Sequence, residues 1–281
     1  MDYGTHFNDL VKLMAKLRSP DGCPWDKEQT HESLKPYLIE ETYEVIDTID
    51  AKDNGKLNEE LADLLFQIIF HCQIATENNA FNIGDVLKLC LEKMTRRHPH
   101  VFGDKNLQTA EEVLKQWHEI KKSEEGYKDR KSIVDGLPKH LPALQKAQKL
   151  QKKVARVGFD WQNVEEVLAK VEEELAEVKA AIKEDNKNSI MEELGDLLFA
   201  VVNLGRFLKL ESENVLHKTI YKFVGRFKKI ESELAAAGKD IEKATLKEMD
   251  ELWNKIKKSQ VKSKERLKSE KAKRKNLFRQ P

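Results

Sequence analysis

Apolar side chains recur every three to four residues through most of the chain, which is the period of an amphipathic α-helix. The strict alternation of apolar and polar residues that marks a half-buried β-strand forms no convincing run in either half. The pattern therefore predicts an all-α protein. Its helices are expected, within a few residues at each end, at 5–18, 31–52, 56–78, 83–97, 109–123, 140–156, 163–184, 188–209, 212–235 and 245–259.

One arrangement of acidic motifs occurs twice along the sequence. Residues 40–44 (Glu-Glu-Thr-Tyr-Glu) precede Glu60-Leu-Ala-Asp63, and 133 residues later 173–177 (Glu-Glu-Leu-Ala-Glu) precede Glu193-Leu-Gly-Asp196. A fixed offset of this length indicates a tandem duplication of one helical domain. We expect a first repeat at 1–125, a second at 126–261 and a mobile basic tail at 262–281, with the boundary in a stretch that contains glycines and prolines.

The turn between the two acidic helices of the first repeat is predicted at Asp53-Asn54-Gly55, three residue types that favour turns. A connection this short makes the two helices antiparallel neighbours. The acidic motifs should therefore face one another.

Composition agrees with long solvated helices. The 281 residues include 50 Lys and Arg, 49 Asp and Glu, 12 Gly and 7 Pro, so turn residues are few and charges many, which speaks against a β-sandwich or barrel. Residues 262–281 carry nine basic against two acidic residues, a balance of +7, so the preceding residues sum to −6 (+1 minus +7). A mildly acidic body is unlike that of a dedicated nucleic-acid binder, and any such binding is expected only weakly, through the tail.

Cysteine usage and hydropathy predict a cytoplasmic protein with no membrane partner. The three cysteines are odd in number and lack paired metal spacing, so neither a disulfide framework nor a zinc ribbon is indicated. The N-terminus has no signal-peptide pattern, and the longest uncharged run, Leu64 to Thr76, is too short to span a bilayer.

The second acidic helix of each repeat carries its acids among apolar residues, which predicts that they are buried. The facing helix supplies two more, so each repeat would gather four carboxylates, and these would repel one another unless divalent cations neutralised them. Oxygen-only ligands favour Mg²⁺, with Mn²⁺ as a substitute. An isolated Glu-x-x-Glu is usually a solvated helix face. The apolar surround, the paired motif and the recurrence together favour metal sites at Glu41, Glu44, Glu60 and Asp63, and at Glu174, Glu177, Glu193 and Asp196.

Basic and aromatic residues on later helices are candidates for nucleotide contacts. Lys222 and Arg226, one turn apart, could clamp phosphate oxygens, and Trp253 could stack on a base with Lys257 reaching phosphate. Taken alone, such residues are more often a surface pair and a core tryptophan. Their recurrence in the first repeat indicates common ancestry and not function, at Lys93, Arg97, Trp117 and Lys121.

The stretch His98-Pro99-His100 is interpreted as a structural loop and not as a ligand pair, because proline breaks helices and the second repeat lacks both histidines.

The combined motifs resemble those of the MazG nucleoside triphosphate pyrophosphohydrolases of the two-repeat type. The resemblance rests on the paired acidic motifs and on Gly22-Cys-Pro-Trp-Asp26, Arg96-Arg-His-Pro-His-Val-Phe102 and Gly158-Phe-Asp-Trp161, and it covers residues 5 to about 258. It implies an all-α fold, Mg²⁺ binding, a homodimer, and hydrolysis of ribo- and deoxyribonucleoside triphosphates to the monophosphate and pyrophosphate, for control of the nucleotide pool.

The resemblance also assigns roles. The implied metal ligands of the active site are Glu174, Glu177, Glu193 and Asp196, with Glu173 helping the attacking water. Substrate contacts are implied at Lys222, Arg226, Trp253 and Lys257. A basic residue that the family commonly has before the second acidic motif is Ser189 here, and Lys187 is the expected substitute.

In two-repeat relatives the second copy is generally active and the first largely structural, although all four acids of the first repeat are intact here. Two alternatives remain open at the sequence level. One is a narrower all-α pyrophosphatase that acts on dUTP or phosphoribosyl-ATP. The other is a non-catalytic helical adaptor whose acidic stripes bind a partner.

Overall fold

The computed structural model describes residues 3–124 and 130–260, and within them it contains helices and no β-strand. The chain divides into two compact units, Met1–Lys128 and Asp129–Pro281. The prediction of an all-α protein is confirmed. The expected mobile tail at 262–281 lies outside the described residues.

In the described part of each unit, helices lie both before and after the two acidic helices. The first unit contains α1 (Tyr3–Leu17), α2 (Pro24–Glu28), α3 (Lys35–Ala51), α4 (Asn54–Glu77), α5 (Ile83–Arg97), α6 (Pro99–Phe102) and α7 (Ala110–Ser123). The second contains α8 (Ala143–Ala155), α9 (Val164–Lys183), α10 (Lys187–Phe207), α11 (Ser212–Ala236), a 3-10 turn (Ile241–Lys243) and α12 (246–260). None of the helices in the described ranges combines the length and the hydropathy that a membrane span requires.

The connection between α3 and α4 is set by a left-handed residue followed by a helix cap. Lys52 has φ 59°, and the Asp53 carboxylate then accepts hydrogen bonds from the backbone N–H groups of Gly55 and Lys56, 3.1 Å each. The predicted turn at 53–55 is therefore displaced, because Asn54 and Gly55 already lie in the first turn of α4. The connection between the acidic helices of the second unit has the same form: Asp185 is left-handed at φ 53°, and Asn186 caps the following helix.

The paired acidic helices form the centre of each unit. Helix α3 packs on α4 and α9 packs on α10, while α1 and α8 pack against the second helix of their own pair. In the first unit, Met14 of α1 and Leu34, the residue before α3, form an apolar core with Ile69, Phe70 and Ile74 of α4. In the second unit, α11 and α12 contribute a further cluster of Ile230, Leu234 and Ile256.

Two short helices were not predicted, and both begin with proline. Pro24 starts α2 and Pro99 starts α6, where the fixed φ of proline suits a first helical turn and its missing N–H is no loss. The prediction of a loop at His98-Pro99-His100 is therefore wrong: only His98 lies between α5 and α6, and His100 is helical.

Candidate functional site

Three carboxylates meet between the acidic helices of each unit. In the first unit they belong to Glu41 and Glu44 of α3 and Glu60 of α4, and one oxygen from each lies within 4.8 Å of the other two. In the second unit they belong to Glu174 and Glu177 of α9 and Glu193 of α10, at the same spacing. The glutamates of α3 and α9 are three residues apart, so they share a face, and the antiparallel partner helix supplies the third. We call these the first and second acidic triads.

The predicted fourth carboxylate of each group stands outside the triad at this distance. Asp63 is exposed, but its charge still acts on Glu41, raising the pKa of that side chain. Asp196 is also exposed and lines a cavity together with Glu174. The predicted quartets are therefore triads with an aspartate one turn further along α4 or α10.

Three carboxylates of the triads hold a proton more tightly than an isolated glutamate does. The pKa values of Glu41, Glu60 and Glu177 are raised from the usual value, first by desolvation and then by the neighbouring carboxylates. For Glu177 those neighbours are Glu174 and Glu193. A cation placed among these oxygens would relieve the repulsion that raises each pKa.

The prediction that these acids are buried is correct for one residue only. Glu174 is 5% exposed, whereas Glu44, Glu177 and the aspartates are exposed and the remaining triad members are half-buried. The reason is that the apolar residues around them are themselves open to solvent in this chain. On α4 and α10 these are Leu61, Leu65, Ile68, Leu194, Leu198 and Val201.

Lys170, a residue that sequence reasoning did not single out, contacts the second triad. Lys170 Nζ lies 2.7 Å from Glu174 Oε1 and 2.7 Å from Glu173 Oε1. It stands four residues before Glu174, the helical spacing for a salt bridge, and this is the signal that could have revealed it. The first repeat has Tyr37 at the same place, 133 residues earlier, with its ring edge-on to Trp25.

The first triad has its lysine on the other helix. Lys56 of α4 lowers the pKa of Glu60 against the larger effect of desolvation. It lines a cavity of about 330 Å³ with Glu44, Glu60, Asp47 and other residues of α3 and α4. The second repeat has Ser189 at the position of Lys56. The cation and the cavity beside each triad therefore differ between the repeats.

A larger cavity, of about 540 Å³, opens beside the second triad. We call it the α8–α10 cavity, since α8 and α10 supply much of its wall. Most of its lining is apolar or aromatic, including Phe159, Trp161 and Phe199, and Lys170, Glu174 and Asp196 stand where it meets the carboxylates. Its volume lies in the range of small-molecule sites, about 300–1,000 Å³.

An ion pair holds one side of this cavity. Arg206 donates to both carboxylate oxygens of Asp160, from Nη1 at 2.9 Å and from Nη2, and its Nε donates to Asn203 Oδ1 at 2.7 Å. These hydrogen bonds keep the pKa of Asp160 below its usual range. Because the guanidinium is held on two edges, this wall is rigidly positioned.

The predicted nucleotide contacts are partly brought together. Arg226 lies 5.2 Å from the centroid of the Trp253 ring and donates from Nε to Gln260 Oε1 at 2.9 Å. Lys222 and Lys257 are exposed on α11 and α12, and Lys187 is the exposed first residue of α10. Within the described residues, none of the three lysines forms an ion pair with the second triad.

The first repeat has the same arginine and tryptophan arrangement, closed by an acid. Arg97 lies 5.1 Å from the Trp117 ring centroid and pairs with Glu124, whose pKa falls to about 2 because Arg97 and Arg96 donate to it. The His98 ring packs edge-on against Trp117 at 5.1 Å. Because a carboxylate already pairs with Arg97, this side chain is not free to bind a phosphate group.

Comparison with known proteins places these features in one family. The model of the MazG nucleotide pyrophosphohydrolase domain matches residues 29–102 and 162–230, once in each unit, which confirms the tandem duplication. The nucleoside triphosphate pyrophosphohydrolase/pyrophosphatase MazG of Thermotoga maritima is 48% identical over 254 residues, 90% of this chain and 96% of that protein. The nucleoside triphosphate pyrophosphohydrolase of Escherichia coli is 43% identical over 255 residues, 90% of this chain and 97% of that protein.

A crystal structure of a MazG-related protein from Thermotoga maritima matches 41% of this chain and 98% of its own, at 27% identity and a TM-score of 0.36. The domain matches cover both acidic triads, and the sequence matches extend over most of the chain. The chain belongs to the MazG family of nucleotide pyrophosphohydrolases and carries the family's domain twice.

Proposed function

We propose that this chain hydrolyses nucleoside triphosphates to the monophosphate and pyrophosphate, and that the second repeat is its active site. The observation that carries the proposal is the second acidic triad, open to solvent on one side and adjoining the α8–α10 cavity on the other. The names of the relatives agree with this reaction, since both describe nucleoside triphosphate pyrophosphohydrolases.

The triad fits a hard divalent cation. Its donors are all carboxylate oxygens within 4.8 Å of one another. Desolvation, and then the charges of Glu174 and Glu193, raise the pKa of Glu177, and a cation would offset those charges. We propose Mg²⁺ as the resident ion, with Mn²⁺ as a substitute, held by Glu174, Glu177, Glu193 and, from the next turn of α10, Asp196. When bound, such an ion acts as a Lewis acid on the phosphates and makes water a better nucleophile.

The chain's own residues then orient the substrate and move the proton. Water forms a bond to the α-phosphorus, the bond from that phosphorus to the bridging oxygen breaks, and pyrophosphate leaves. Glu173, one residue before the triad, is proposed to accept the proton of the attacking water. Lys222, Arg226, Lys257 and Lys187 are proposed to bind phosphate oxygens, with Trp253 beside them.

Two differences between the repeats support activity in the second. Lys170 places an ammonium group on the second triad, where it can pass to a phosphate oxygen when a cation takes its place on Glu174. The cavity beside the first triad is smaller and includes Asp47 and Asp53, carboxylates that would repel a triphosphate. We therefore propose a structural or weakly active role for the first repeat.

We also propose that the chain works as a homodimer. The apolar faces of α4 and α10 are open in the single chain, with Leu194 47% and Leu198 53% exposed. A second copy that covered these faces would remove apolar area from water and shield the acids beside them. Nucleic acid is not expected to bind the body of the protein.

The test is product analysis with the purified full-length protein, a panel of ribo- and deoxyribonucleoside triphosphates, and Mg²⁺. Equal amounts of monophosphate and pyrophosphate are expected, with turnover abolished by chelation and restored by Mg²⁺ or Mn²⁺. Release of orthophosphate and diphosphate would contradict the proposal. Turnover restricted to dUTP or phosphoribosyl-ATP would favour the narrower pyrophosphatase.

The adaptor alternative has its own signature. It requires a parent protein without cation-dependent turnover, and a Glu193→Gln, Asp196→Asn variant that still binds the partner of the parent. Turnover by the parent would exclude it.

A further inference from the structure

The α8–α10 cavity contains a buried hydrogen-bond acceptor without a partner. Gln151 is 5% exposed and lines the cavity. Its Nε2 donates to the backbone oxygen of Phe199 at 2.9 Å, which fixes the amide, while its Oε1 is buried and has no hydrogen-bond partner among the described residues. A buried acceptor left unpaired is costly, so this oxygen is suited to an N–H group of a ligand.

Asn203 adds a complementary group to the same wall. Its Oδ1 accepts from Arg206 Nε at 2.7 Å, so the amide is oriented by the ion pair described above. The Nδ2 group of Asn203 is then the donor that remains. The cavity therefore combines aromatic walls with one fixed hydrogen-bond acceptor and one fixed donor. The edge of a nucleobase carries a donor and an acceptor that could pair with them.

The first repeat replaces both amides with apolar side chains. Helices α1 and α8 align where Lys12-Leu13 corresponds to Lys149-Leu150, an offset of 137 (149 minus 12), which places Met14 opposite Gln151. The offset of 133 for the acidic helices places Phe70 opposite Asn203. Met14 is 0% and Phe70 1% exposed, and both belong to the apolar core of the first unit. The polar pair thus belongs to the second repeat.

We propose that the α8–α10 cavity binds the nucleobase of the substrate, with Gln151 Oε1 accepting a hydrogen bond from an N–H group of the base and Asn203 donating to an adjacent acceptor. Trp161 and Phe199 line the same space and offer ring faces for stacking. Glu174 of the second triad and the nearby Asp196 line one side of the cavity, so a base held there places its phosphates toward the carboxylates. This inference rests on the proposed function and adds the part of the substrate that this cavity recognises.

The test is calorimetric binding to the full-length protein in EDTA, which removes the contribution of cations. The probes are AMP and ribose 5-phosphate, which has the same sugar phosphate without the base. The parent should bind AMP more tightly than ribose 5-phosphate. The Gln151→Met substitution, which introduces the residue of the first repeat, should weaken AMP binding about tenfold and leave ribose 5-phosphate unchanged.

Two further variants keep this test decisive. Gln145→Met makes the same chemical change on α8 at a residue outside the cavity lining, and it should bind AMP as the parent does. Asn203→Phe fills the cavity with the other residue of the first repeat and should weaken AMP binding even if Gln151→Met does not fold. Equal binding of AMP and ribose 5-phosphate by the parent, or an unchanged AMP affinity in both cavity variants, would overturn the inference.

The outcome separates this inference from the proposed function. A parent that releases pyrophosphate from ATP but gains no affinity from the base refutes the nucleobase site alone. A parent that binds AMP through Gln151 yet releases no pyrophosphate refutes the proposed reaction alone.

Discussion

Replacing Asp160 with asparagine removes the carboxylate that holds Arg206 in the wall of the α8–α10 cavity. The Arg206 side chain is 10% exposed and that of Asp160 is 28% exposed, and the two are joined by a bidentate contact. A hydrogen bond to a charged group contributes about 1.5–3 kcal/mol, and breaking a fully buried ion pair costs about 3–5 kcal/mol. Because water reaches part of Asp160 and Asn203 still accepts from Arg206, we expect a loss of about 2 kcal/mol.

Urea and thermal unfolding followed by circular dichroism measure this loss. For a unit of this size, about 2 kcal/mol lowers the midpoint temperature by about 4–8 °C. The matched control is Glu211→Gln, which breaks an exposed pair with Lys152 that joins α8 to the residue before α11. The control should cost less than about 1 kcal/mol, because exposed ion pairs contribute little.

The pH dependence provides a second check on the same pair. Arg206 lowers the pKa of Asp160 in the folded chain below its ordinary value of 3.8. The stabilisation is therefore complete above that value and is lost as the pH falls through the lowered pKa of the folded state. The difference between parent and Asp160→Asn should shrink in that acid range. A difference under about 0.5 kcal/mol at neutral pH, or one that persists unchanged in acid, would refute the reasoning.

Three further predictions follow from other contacts. The Nδ1 atoms of His71 and His31 lie 2.8 Å apart. Desolvation, and then the charge of His31, lower the pKa of His71 in the folded chain. The stability of the parent should therefore fall as the pH drops below 6.5 and through that lowered pKa. In urea unfolding, His71→Leu, which introduces the residue of the second repeat, should flatten this slope. An equal slope in both proteins would count against a half-buried His71 that stays neutral. Glu177→Gln removes a repelled carboxylate with a raised pKa, so the variant should melt at a higher temperature than the parent without cations. Mg²⁺ should then no longer raise the melting temperature of the variant. A rise with Mg²⁺ as large as that of the parent would exclude Glu177 as a ligand. Lys170→Met frees Glu174 from its ammonium partner, so Mn²⁺ should bind more tightly in calorimetry, and weaker binding would contradict competition between the lysine and the cation.

The helices and the triads could be predicted because both depend on local patterns. The apolar period of about 3.6 residues fixes which face of each acidic helix is shared, and the recurrence at a fixed offset identifies the glutamates that meet. The turn was displaced because Lys52, a residue without a strong turn preference, takes the left-handed conformation there. Asp53 then caps α4, which its carboxylate suits.

The burial of the acids could not be predicted from the same pattern. Apolar residues such as Leu194 and Leu198 are expected to pack against another apolar surface, but the pattern does not show whether that surface belongs to the same chain. In this chain those residues stay exposed, so Glu177 is exposed beside them.

The cavity was missed for a related reason. Glutamine and asparagine on a helix are usually solvated, and the burial of Gln151 and the half-burial of Asn203 depend on how α8 meets α10. The exchange of Met14 and Phe70 for two amides is visible in the sequence only where the two repeats differ, outside their shared motifs. Differences between copies therefore carry information that the common motif does not.

We propose that cation-dependent chemistry belongs to the second repeat. Pyrophosphate release from ATP and Mg²⁺ by the parent, Asp63→Asn and Asp196→Asn proteins, each verified as folded, tests this directly. Asp196→Asn should lose nearly all activity, whereas Asp63→Asn should lose part of it or none. Equal loss in the two variants would contradict the assignment of catalysis to the second repeat.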